Sequence, residues 1–347
     1  MTKKQRIVFV AGDLANGGGA NRVIRDLSAI MADRLDADVT VLSIGSSGAP
    51  SYEFPAQVKV KTARRHGLRA YFETIMRLRR ERPGAVIGSW TQDNILLVIG
   101  LLFTRIELIA VEHTSWYFHS RWIRALRRLT YRFASHVVVL NPRELRHYRA
   151  FLPNVVLLPN PVAATAIAAG TRREKLIVAI GHLEPRKNFA DAIRAMALSG
   201  LEQSGWSLAI IGSGPEQKAL ERQIAAAGLE RTRIVPPTDD LASWYSCASL
   251  TLVTARLEVF SLVLAEAMAA GVIPIAFEAD GPAYILDGFP AHLVPQGDVQ
   301  AMAVRMREFA ELRSSDALRS RLAKSIAERF SAELIARKWR ALLETAA

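Results

Sequence analysis

The sequence has a single cysteine and no apolar stretch long enough to cross a membrane. Cys247 alone cannot form an internal disulfide or a cysteine-based zinc site, which excludes disulfide-rich folds and fits a reducing cytosol. The longest apolar stretch, residues 95–103, has about half of the roughly 20 residues that a membrane span needs. The basic start resembles a signal peptide, but no small-residue cleavage site follows residues 7–11. We therefore expect a cytoplasmic protein.

Several common motifs are also missing. The sequence contains neither the G-x-G-x-x-G pattern of dinucleotide-binding folds nor the G-x-x-x-x-G-K-[ST] pattern of P-loop enzymes. It has no close repeat of 20 to 50 residues, which excludes a solenoid. Nothing visible in it requires a divalent metal, so we expect neither a metal nor a cofactor.

Short apolar segments alternate with helical periodicity along all 347 residues. Most of the twelve segments are continuously apolar, as in strands that are covered on both faces of a parallel sheet. They fall into two series, which predicts two doubly wound, Rossmann-like α/β domains. We predict an N-terminal domain over residues 1–163, a C-terminal domain over 164–330 and a final amphipathic helix over 331–347 that packs back at the domain junction.

The positive charge is confined to the first predicted domain. Residues 1–160 carry 24 Lys and Arg against 12 Asp and Glu, whereas residues 161–347 carry 21 of each. The whole net charge of +12 therefore lies in the first part. Basic charge on one face attracts nucleic acid or an anionic membrane surface, and solubility alone does not require such segregation.

Two loops have the composition of anion-binding sites. Gly17, Gly18 and Gly19 follow a strand and precede a helix, so backbone N–H groups of the helix N-terminus are available to an anion or a sugar hydroxyl. Arg186 and Lys187 stand just before another predicted helix, where a diphosphate would meet two cations and the helix dipole. An ordinary glycine-rich turn and a solvated basic loop remain the alternatives.

The segment "EVFSLVLAE" follows a strand and places Glu258 and Glu266 eight residues apart. Ser261 is a natural N-cap for the helix that ends at Gly271. Ligands of open parallel sheets bind beyond the carboxyl ends of the strands, where Glu258 should lie. Carboxylates accept hydrogen bonds from vicinal hydroxyls, as on a ribose or a hexose. The alternative is a solvated helix surface.

These segments together resemble the retaining glycosyltransferases of family 4, which have the GT-B fold. "EVFSLVLAE" is similar to the glutamate-x7-glutamate motif of that family, "GGGANRVI" to its N-terminal glycine loop and "IGHLEPRKN" to its diphosphate-binding loop. "DGPAYILDGFPAHLVPQGD" matches a later segment of the family. "LIAVEHTSW" and "VVVLNPRELRHY" resemble members that add a hexose or N-acetylhexosamine to lipid-linked glycans. The resemblance runs in order along nearly the whole chain and implies two domains that face each other across a cleft.

The resemblance implies a role for each matching residue. Lys187 would bind the diphosphate of a nucleotide sugar, Glu258 would face the donor sugar, and Glu266 would hold the ribose. The remaining donor contacts and the first-domain residues that the family match implies are Gly18, Gly19, His113, His182, Arg186, Val259, Phe260 and Ser261. His113 would touch the donor sugar near the reacting carbon; a histidine of the core with a satisfied hydrogen bond is the alternative.

Three positions depart from the family pattern. His182 replaces an arginine that usually contacts phosphate, so either Arg186 compensates for it or the diphosphate is held more weakly. Val259 replaces a glycine, and its β-branch restricts the backbone beside the sugar. Tyr284 replaces a glutamate. These departures motivate a second hypothesis, a catalytically silent GT-B protein that binds glycan or membrane and supports a partner enzyme. A sugar-nucleotide epimerase of related architecture fits the second-domain motifs less well.

The leading hypothesis is a metal-independent transferase that moves a hexose or N-acetylhexosamine from a nucleotide sugar, most simply a UDP-sugar, to a saccharide or lipid-linked acceptor in bacterial cell-surface glycan synthesis. Two basic amphipathic segments, residues 68–84 and 118–134, suit peripheral docking on the cytoplasmic face of an anionic membrane. Apolar side chains that simply face the core are the alternative. We expect no nucleic acid partner, since no recognition motif accompanies the charge.

Overall fold

The computed structural model describes residues 4–15, 17–45, 48–63, 67–163, 173–312 and 315–344. The chain divides into two compact units, residues 1–161 with 332–347 and residues 162–331. The predicted boundary at 163/164 lies beside residues 164–172, which are outside the described residues.

The first unit contains a seven-stranded parallel sheet in the order β3-β2-β1-β4-β5-β6-β7. Its strands are β1 (Arg6–Ala11), β2 (Asp38–Ser43), β3 (Lys59–Thr62), β4 (Ala85–Gly88), β5 (Glu107–Val111), β6 (His136–Val139) and β7 (Val155–Leu157). Its first five helices are α1 (Gly19–Arg34), α2 (Leu68–Glu81), α3 (Thr91–Leu101), α4 (Arg121–Thr130) and α5 (Pro142–Arg149). Strands β4 and β5 are buried along their whole length, as their continuous apolar sequences predict.

Strand β3 is the strand that the sequence reading missed. Its sequence, KVKT, alternates charged and apolar residues and is mostly exposed. It pairs only with β2, at the edge of the sheet. An edge strand with lysines lacks the continuous apolar character that identifies the central strands, and such charged edges resist unwanted pairing with other chains.

The second unit contains a six-stranded parallel sheet in the order β10-β9-β8-β11-β12-β13. Its strands are β8 (Leu176–Ile180), β9 (Ser207–Ile211), β10 (Thr232–Val235), β11 (Leu250–Val253), β12 (Ile273–Phe277) and β13 (Leu293–Val294). Its helices are α6 (Phe189–Ser199), α7 (Gln217–Ala226), α8 (Leu241–Cys247), α9 (Leu262–Ala269), α10 (Asp280–Ile285), α11 (Val299–Glu311) and α12 (Asp316–Phe330).

The last helix, α13 (Ala332–Glu344), belongs to the first unit although it follows the second in sequence. Glu333 pairs with Arg34 at the end of α1, and the guanidinium of Arg340 donates to the Arg34 carbonyl oxygen. Trp339 is buried among residues of the first unit, including Val23. The chain therefore returns to its first unit, and the amphipathic pattern of this helix reflects the apolar face that it buries.

The order of the strands reverses once in each sheet. In the second sheet the reversal lies at β8, which has β9 on one side and β11 on the other. In the first sheet it lies at β1, between β2 and β4. Loops that leave neighbouring strands in opposite directions open a crevice at such a point, and ligands bind there at the carboxyl ends of the strands. The loops after β8 and β11 are therefore where a ligand of the second unit is expected.

Candidate active site

The loop after β8 brings Lys187 to the N-terminus of α6. Asn188 adopts a left-handed conformation (φ 55°) at the N-cap position, and its side chain donates to the carboxylate of Asp191. Asparagine tolerates this conformation better than most residues, so it ends the loop and starts the helix at one defined point. The predicted helix start near Asn188 is confirmed.

The loop after β11 is fixed to the loop after β8 by two hydrogen bonds. The hydroxyl of Thr254 donates to the Lys187 carbonyl oxygen over 2.9 Å, and the backbone N–H of Arg256 donates to the Arg186 carbonyl oxygen over 2.8 Å. The residues that these two bonds join are about 70 positions apart in sequence. The reversal of strand order at β8 makes them neighbours.

The side chains of Lys187 and Glu258 form an ion pair between these two loops. They retain only 17% and 12% of their side-chain exposure. The pair holds both groups in place, and each keeps some exposure at the edge of the sheet where a ligand is expected. The two residues were predicted to serve one site, and the structure brings them into direct contact, which the sequence did not predict.

Glu266 lies inside α9 and is buried, with 7% exposure. The hydroxyl of Tyr245, on α8, lies 3.4 Å from its Oε2 and 3.3 Å from the Val263 carbonyl oxygen. Tyr245 was not predicted as a site residue. Its segment was recognised as part of the family match, but the contact depends on how α8 and α9 pack and has no signal in sequence spacing.

Ser261 occupies the N-cap position of α9, as predicted, but its side chain makes no capping hydrogen bond. The expectation of a serine cap is therefore wrong in its chemistry. The residue is 1% exposed, and its hydroxyl oxygen has no hydrogen-bond partner. A buried hydroxyl without a partner is costly, and a ligand oxygen at the helix N-terminus would satisfy it.

Gly281 packs closely against the backbone of the segment from Glu258 to Phe260. Its N–H donates to the Glu258 carbonyl oxygen over 2.7 Å, and a Cβ at this position would lie 2.8 Å from that oxygen and from the Phe260 nitrogen. Val259 and Phe260 are both buried, and the Phe260 ring packs edge-on against Phe330 at 5.3 Å. Glycine at position 281 is thus required by close backbone approach, as are Gly212 and Gly214 beside the loop after β8.

Two of the three departures from the family pattern, His182 and Tyr284, have different surroundings. His182 is exposed, whereas the Nε of Arg186 lies 2.6 Å from a carboxylate oxygen of Glu184. Tyr284 packs against the guanidinium of Arg329 at 5.0 Å and the Phe330 ring at 5.5 Å. Burial raises the pKa of the Tyr284 phenol. Packing within the second unit thus accounts for the tyrosine.

In the first unit, Gly18 is the N-cap of α1 and Gly19 its first residue, and no side chain caps this helix end. His113 follows β5 and lines a small internal pocket with Phe9, Ile87 and Trp339. Burial lowers the pKa of His113 to about 4, although the neighbouring Glu112 raises it. His113 is therefore neutral near pH 7. Its role toward the donor stays a prediction, as does that of the two glycines.

Glu112 is the centre of a buried polar cluster. Its carboxylate accepts hydrogen bonds from Arg127 over 2.7 Å, from Thr91 over 2.8 Å and from the phenol of Tyr131. The guanidinium of Arg127, which is 0% exposed, lies over the rings of Trp116 and Tyr148 at 4.9 and 5.3 Å. The basic pattern of α4 did not indicate that one of its arginines points inward.

Acidic residues at the amino ends of the first sheet are used in surface ion pairs. One Asp-x-Asp sequence, whose two carboxylates could bind a metal, lies at Asp36–Asp38. However, Asp36 pairs with Lys4 over 2.5 Å and Asp38 pairs with Lys59 over 2.7 Å. Within the described part of the chain, no group of three or more His, Cys, Asp or Glu side chains has the geometry of a metal site. Metal independence stays a prediction.

Two family models match consecutive parts of the chain. Residues 17–165 match "Glycosyltransferase Family 4", and residues 167–329 match "Glycosyl transferases group 1". The break between the two matches, at residue 166, lies a few residues after the change from the first unit to the second between residues 161 and 162.

Individual relatives agree with the family models. The chain is 27% identical to the amylovoran biosynthesis glycosyltransferase AmsD of Erwinia amylovora, over 97% of this chain and 99% of that one. It is 24% identical, over 76% of each chain, to a Campylobacter jejuni α-1,4-N-acetyl-D-galactosaminyltransferase whose name specifies a glycan linked to undecaprenol through a diphosphate.

Among solved structures, TarM of S. aureus superposes with a TM-score of 0.85 at 12% identity, over 98% of this chain and 99% of that one. HepE of Anabaena, in complex with UDP and glucose, superposes with a TM-score of 0.81 at 18% identity, over 98% of this chain and 100% of that one. At these identities the likeness concerns the fold, which is GT-B.

Two parallel α/β units of this kind define the GT-B fold. The two family models define the chain as a glycosyltransferase. The chain belongs to glycosyltransferase family 4, as both the first family model and the order of the sequence motifs indicate.

Proposed function

We propose that this glycosyltransferase transfers a hexose or N-acetylhexosamine from a UDP-sugar to a saccharide or lipid-linked acceptor in the synthesis of a cell-surface polysaccharide. The relative from Erwinia is named for the biosynthesis of amylovoran, and the relative from Campylobacter for a lipid-linked acceptor. The structural neighbour from Anabaena holds UDP and glucose. The observation that carries the proposal is the ion pair of Lys187 with Glu258 at the reversal of strand order in the second sheet.

The donor diphosphate binds at the N-terminus of α6, where Lys187 adds a cation to the dipole of the helix. Arg186, whose side chain is 41% exposed, supplies a second cation where His182 has replaced the usual arginine. When Lys187 binds the phosphate oxygens, its ion pair with Glu258 is weakened. The glutamate is thereby freed to accept hydrogen bonds from the donor sugar.

The nucleoside end binds along α9. Glu266 accepts hydrogen bonds from the ribose hydroxyls, and Tyr245 orients the carboxylate from the opposite side. The Ser261 hydroxyl donates to a phosphate or sugar oxygen, which provides the partner that it lacks in the unliganded protein. Backbone N–H groups between Val259 and Ser261 approach the same oxygens.

The transfer retains the configuration at the anomeric carbon. The bond between the anomeric carbon and the leaving phosphate oxygen breaks, and the acceptor oxygen attacks from the same face. Its proton passes to the departing phosphate, so the products are UDP and the new glycoside. Lys187, Arg186 and the helix N-terminus stabilise the negative charge that develops on the diphosphate, and no metal is needed for this purpose. His113, neutral at physiological pH, offers a hydrogen bond near the reacting carbon.

The acceptor places the protein at the cytoplasmic face of a membrane, where lipid-linked saccharides are presented to an enzyme that contacts the bilayer peripherally. In the part of the chain that the structure describes, no helix has the length and apolar character of a membrane span. We propose that contact with the bilayer is made by side chains of the first unit, because residues 1–160 carry the whole net positive charge.

Turnover of a panel of UDP-sugars tests the proposal. UDP release should be measured for UDP-glucose, UDP-galactose and their N-acetylated counterparts, with and without a chelator, for the wild type, Lys187→Ala and Glu266→Ala. We expect turnover of at least one donor that is insensitive to the chelator and reduced in both variants. If no donor binds or turns over, the chain is the catalytically silent partner that His182 and Val259 raised as an alternative. Turnover that survives both substitutions would contradict the assignment of the site.

A further inference from the structure

Exposed apolar side chains are concentrated in one part of the first unit. Of the sixteen large apolar side chains that are exposed among the described residues, twelve lie within residues 68–133. Monomeric proteins rarely leave so many of them together in water, and such surfaces usually bind a partner or a membrane. The remaining four, Leu198, Leu257, Val304 and Leu312, are spread over the second unit.

Helix α4 presents a continuous apolar stripe. Trp122, Leu126, Leu129 and Phe133 are 75%, 45%, 57% and 59% exposed. Their spacing of four, three and four residues aligns them along one side of the helix, with Phe133 in the turn that follows it. The buried Arg127 fixes how α4 is rotated about its axis, because its side chain must reach the cluster around Glu112.

Helix α2 presents a second stripe. Leu68, Phe72 and Met76 are 76%, 66% and 49% exposed and lie four residues apart, opposite the buried Ala70 and Leu78. Helix α3 packs against both α2 and α4 and adds Ile99 and Phe103 near its end. The three helices therefore form one surface, which we call the apolar face: the exposed apolar side chains of α2, the end of α3 and α4 with its following turn.

The charges around the apolar face all have one sign. Every exposed charged side chain between residues 68 and 133 is an arginine. These arginines are Arg69, Arg79, Arg80, Arg82, Arg105, Arg121, Arg128 and Arg132. The acidic residues of this segment are partly or wholly buried, and Glu112 and Glu81 are paired with arginines. A protein partner would have to be strongly acidic, whereas a bilayer offers acyl chains and anionic headgroups together.

We propose that the apolar face is the site at which this protein binds an anionic membrane, with the α4 and α2 stripes inserted at the level of the headgroups and the arginines on lipid phosphates. Tryptophan and arginine are both suited to this depth, since one has an amphipathic ring and the other a long stem with a charged end. This deepens the proposed function, on which it rests for a membrane-borne acceptor, and it names the surface and the lipid chemistry.

Sedimentation with vesicles tests the proposal without any catalysis. Binding should be compared for neutral phosphatidylcholine vesicles and vesicles with roughly 30 mol% phosphatidylglycerol. We expect strong preference for the anionic vesicles, and a loss of about tenfold or more in the triple variant Arg80→Glu, Arg121→Glu, Arg132→Glu. The matched control, Lys218→Glu, Arg222→Glu, Lys338→Glu, makes the same change in net charge at exposed positions outside the apolar face and should lose far less. Equal losses in the two triple variants would overturn the proposal.

Tryptophan fluorescence tests the insertion of α4. Trp122 is 75% exposed and Trp90 is 37% exposed, whereas Trp116, Trp206 and Trp339 are buried. Anionic vesicles should shift the emission to shorter wavelength, and lipids brominated on their acyl chains should quench it, with both effects strongly reduced in Trp122→Phe and retained in Trp90→Phe. An emission that vesicles do not change would contradict insertion.

A second copy of the chain is the competing occupant of the apolar face. If sedimentation equilibrium shows a dimer that Trp122→Ser with Phe72→Ser converts to a monomer, the face is a dimer interface and the membrane proposal fails. UDP release with a water-soluble acceptor analogue should be the same in wild type and in the surface variants. If the surface variants lose vesicle binding and keep turnover, the membrane site is separate from the catalytic function. If the wild type binds vesicles but turns over no donor, the proposed function fails and the membrane proposal stands.

Discussion

Two ion pairs, one in each unit, are built in opposite ways. Arg127 and Glu112 retain 0% and 2% of their side-chain exposure, and the carboxylate also accepts hydrogen bonds from Thr91 and Tyr131. Lys187 and Glu258 retain 17% and 12%, and they connect two loops at the carboxyl edge of the second sheet. The first pair is closed to solvent and anchors a helix, whereas the second keeps some exposure at the edge of the sheet where a ligand is expected.

The difference shows how similar residue types divide between structure and chemistry. In the first pair the protein supplies the further hydrogen bonds of Glu112, whereas the buried Nε and Nη1 of Arg127 have no hydrogen-bond partner among the described residues and its guanidinium lies over aromatic rings. Removing one partner of such a sealed pair leaves a charge in the interior. An open pair can exchange part of its bonding for a ligand at little cost in stability. We therefore expect substitutions in the first pair to lower the stability of the protein and substitutions in the second pair to lower its activity.

The largest expected effect follows from breaking the sealed pair. Arg127→Met keeps much of the apolar volume but leaves Glu112 without its cation, so the free energy of unfolding should fall by about 3–5 kcal/mol. Chemical denaturation monitored by circular dichroism measures it. Arg305→Ala, which breaks an exposed pair with Glu308 at 2.6 Å, should cost under about 1 kcal/mol and serves as the control. Similar losses in the two variants would show that the first pair is not sealed.

Breaking the open pair should instead lower activity. Lys187→Ala removes the cation at the N-terminus of α6, so kcat/KM for the donor should fall by about 100-fold or more, while the midpoint of thermal unfolding changes little. Steady-state UDP release measures the first and calorimetry the second. A variant that is strongly destabilised and retains its turnover would reverse the assignment of the two pairs.

Asp93, a buried acid without a cation, gives the comparison a third case. It predicts that the stability of the protein depends on pH. Burial raises the pKa of Asp93 to about 6 from an ordinary 3.8, although the hydrogen bond from Tyr71 lowers it. Between these values the unfolded carboxyl ionises before the folded one. Asp93→Asn should therefore gain stability relative to wild type as the pH rises from 4 to 6, levelling at roughly 3 kcal/mol or less. Urea denaturation across this range measures the gain; a difference independent of pH would show that the carboxyl is not perturbed.

Removing the buried carboxylate of α9 should weaken donor binding. Glu266→Gln keeps the size of the side chain but removes its charge, so the dissociation constant of UDP should rise by about tenfold or more. Tyr245→Phe removes only the hydroxyl 3.4 Å from Glu266 and should have a smaller effect in the same direction. Isothermal titration calorimetry with UDP compares the two. An unchanged affinity in Glu266→Gln would exclude the ribose contact.

The smallest effect concerns the hydroxyl of Ser261. Because it caps no helix and its buried hydroxyl has no partner among the described residues, Ser261→Ala should leave the stability equal to or slightly above that of wild type, while donor affinity falls. Asp298, whose carboxylate accepts from the Ala301 N–H over 2.9 Å, is a true cap, so Asp298→Ala should cost about 1 kcal/mol and leave affinity unchanged. A stability loss in Ser261→Ala equal to that of the true cap would show that the serine does cap α9.

Much of the fold was predictable because most strands of the two sheets are continuously apolar. Strand β3 escaped prediction because an edge strand needs only one paired side and can carry lysines. Of the site, the positions of Lys187 and Glu258 were predictable from helix starts and the family motif. Their ion pair was not, because it depends on the neighbouring positions of β8 and β11 in the sheet.

The surface of the first unit shows the same division. The basic amphipathic pattern of α2 and α4 was visible in the sequence, but it left open whether the apolar residues face the core or water. Ile123 packs on the core, whereas Trp122 beside it is exposed. Only the contact of α4 with its neighbours, and above all the inward position of Arg127, decides between these outcomes.

The sequence by itself determined the two parallel sheets, the helix starts and the segregation of charge, because each depends on residues that are close together in the chain. The tertiary structure decided which charges are sealed and which are open, what lies beside Glu266 and Tyr284, and which apolar side chains meet solvent. These properties arise from contacts between segments tens of residues apart, whose geometry is set by strand order and helix packing.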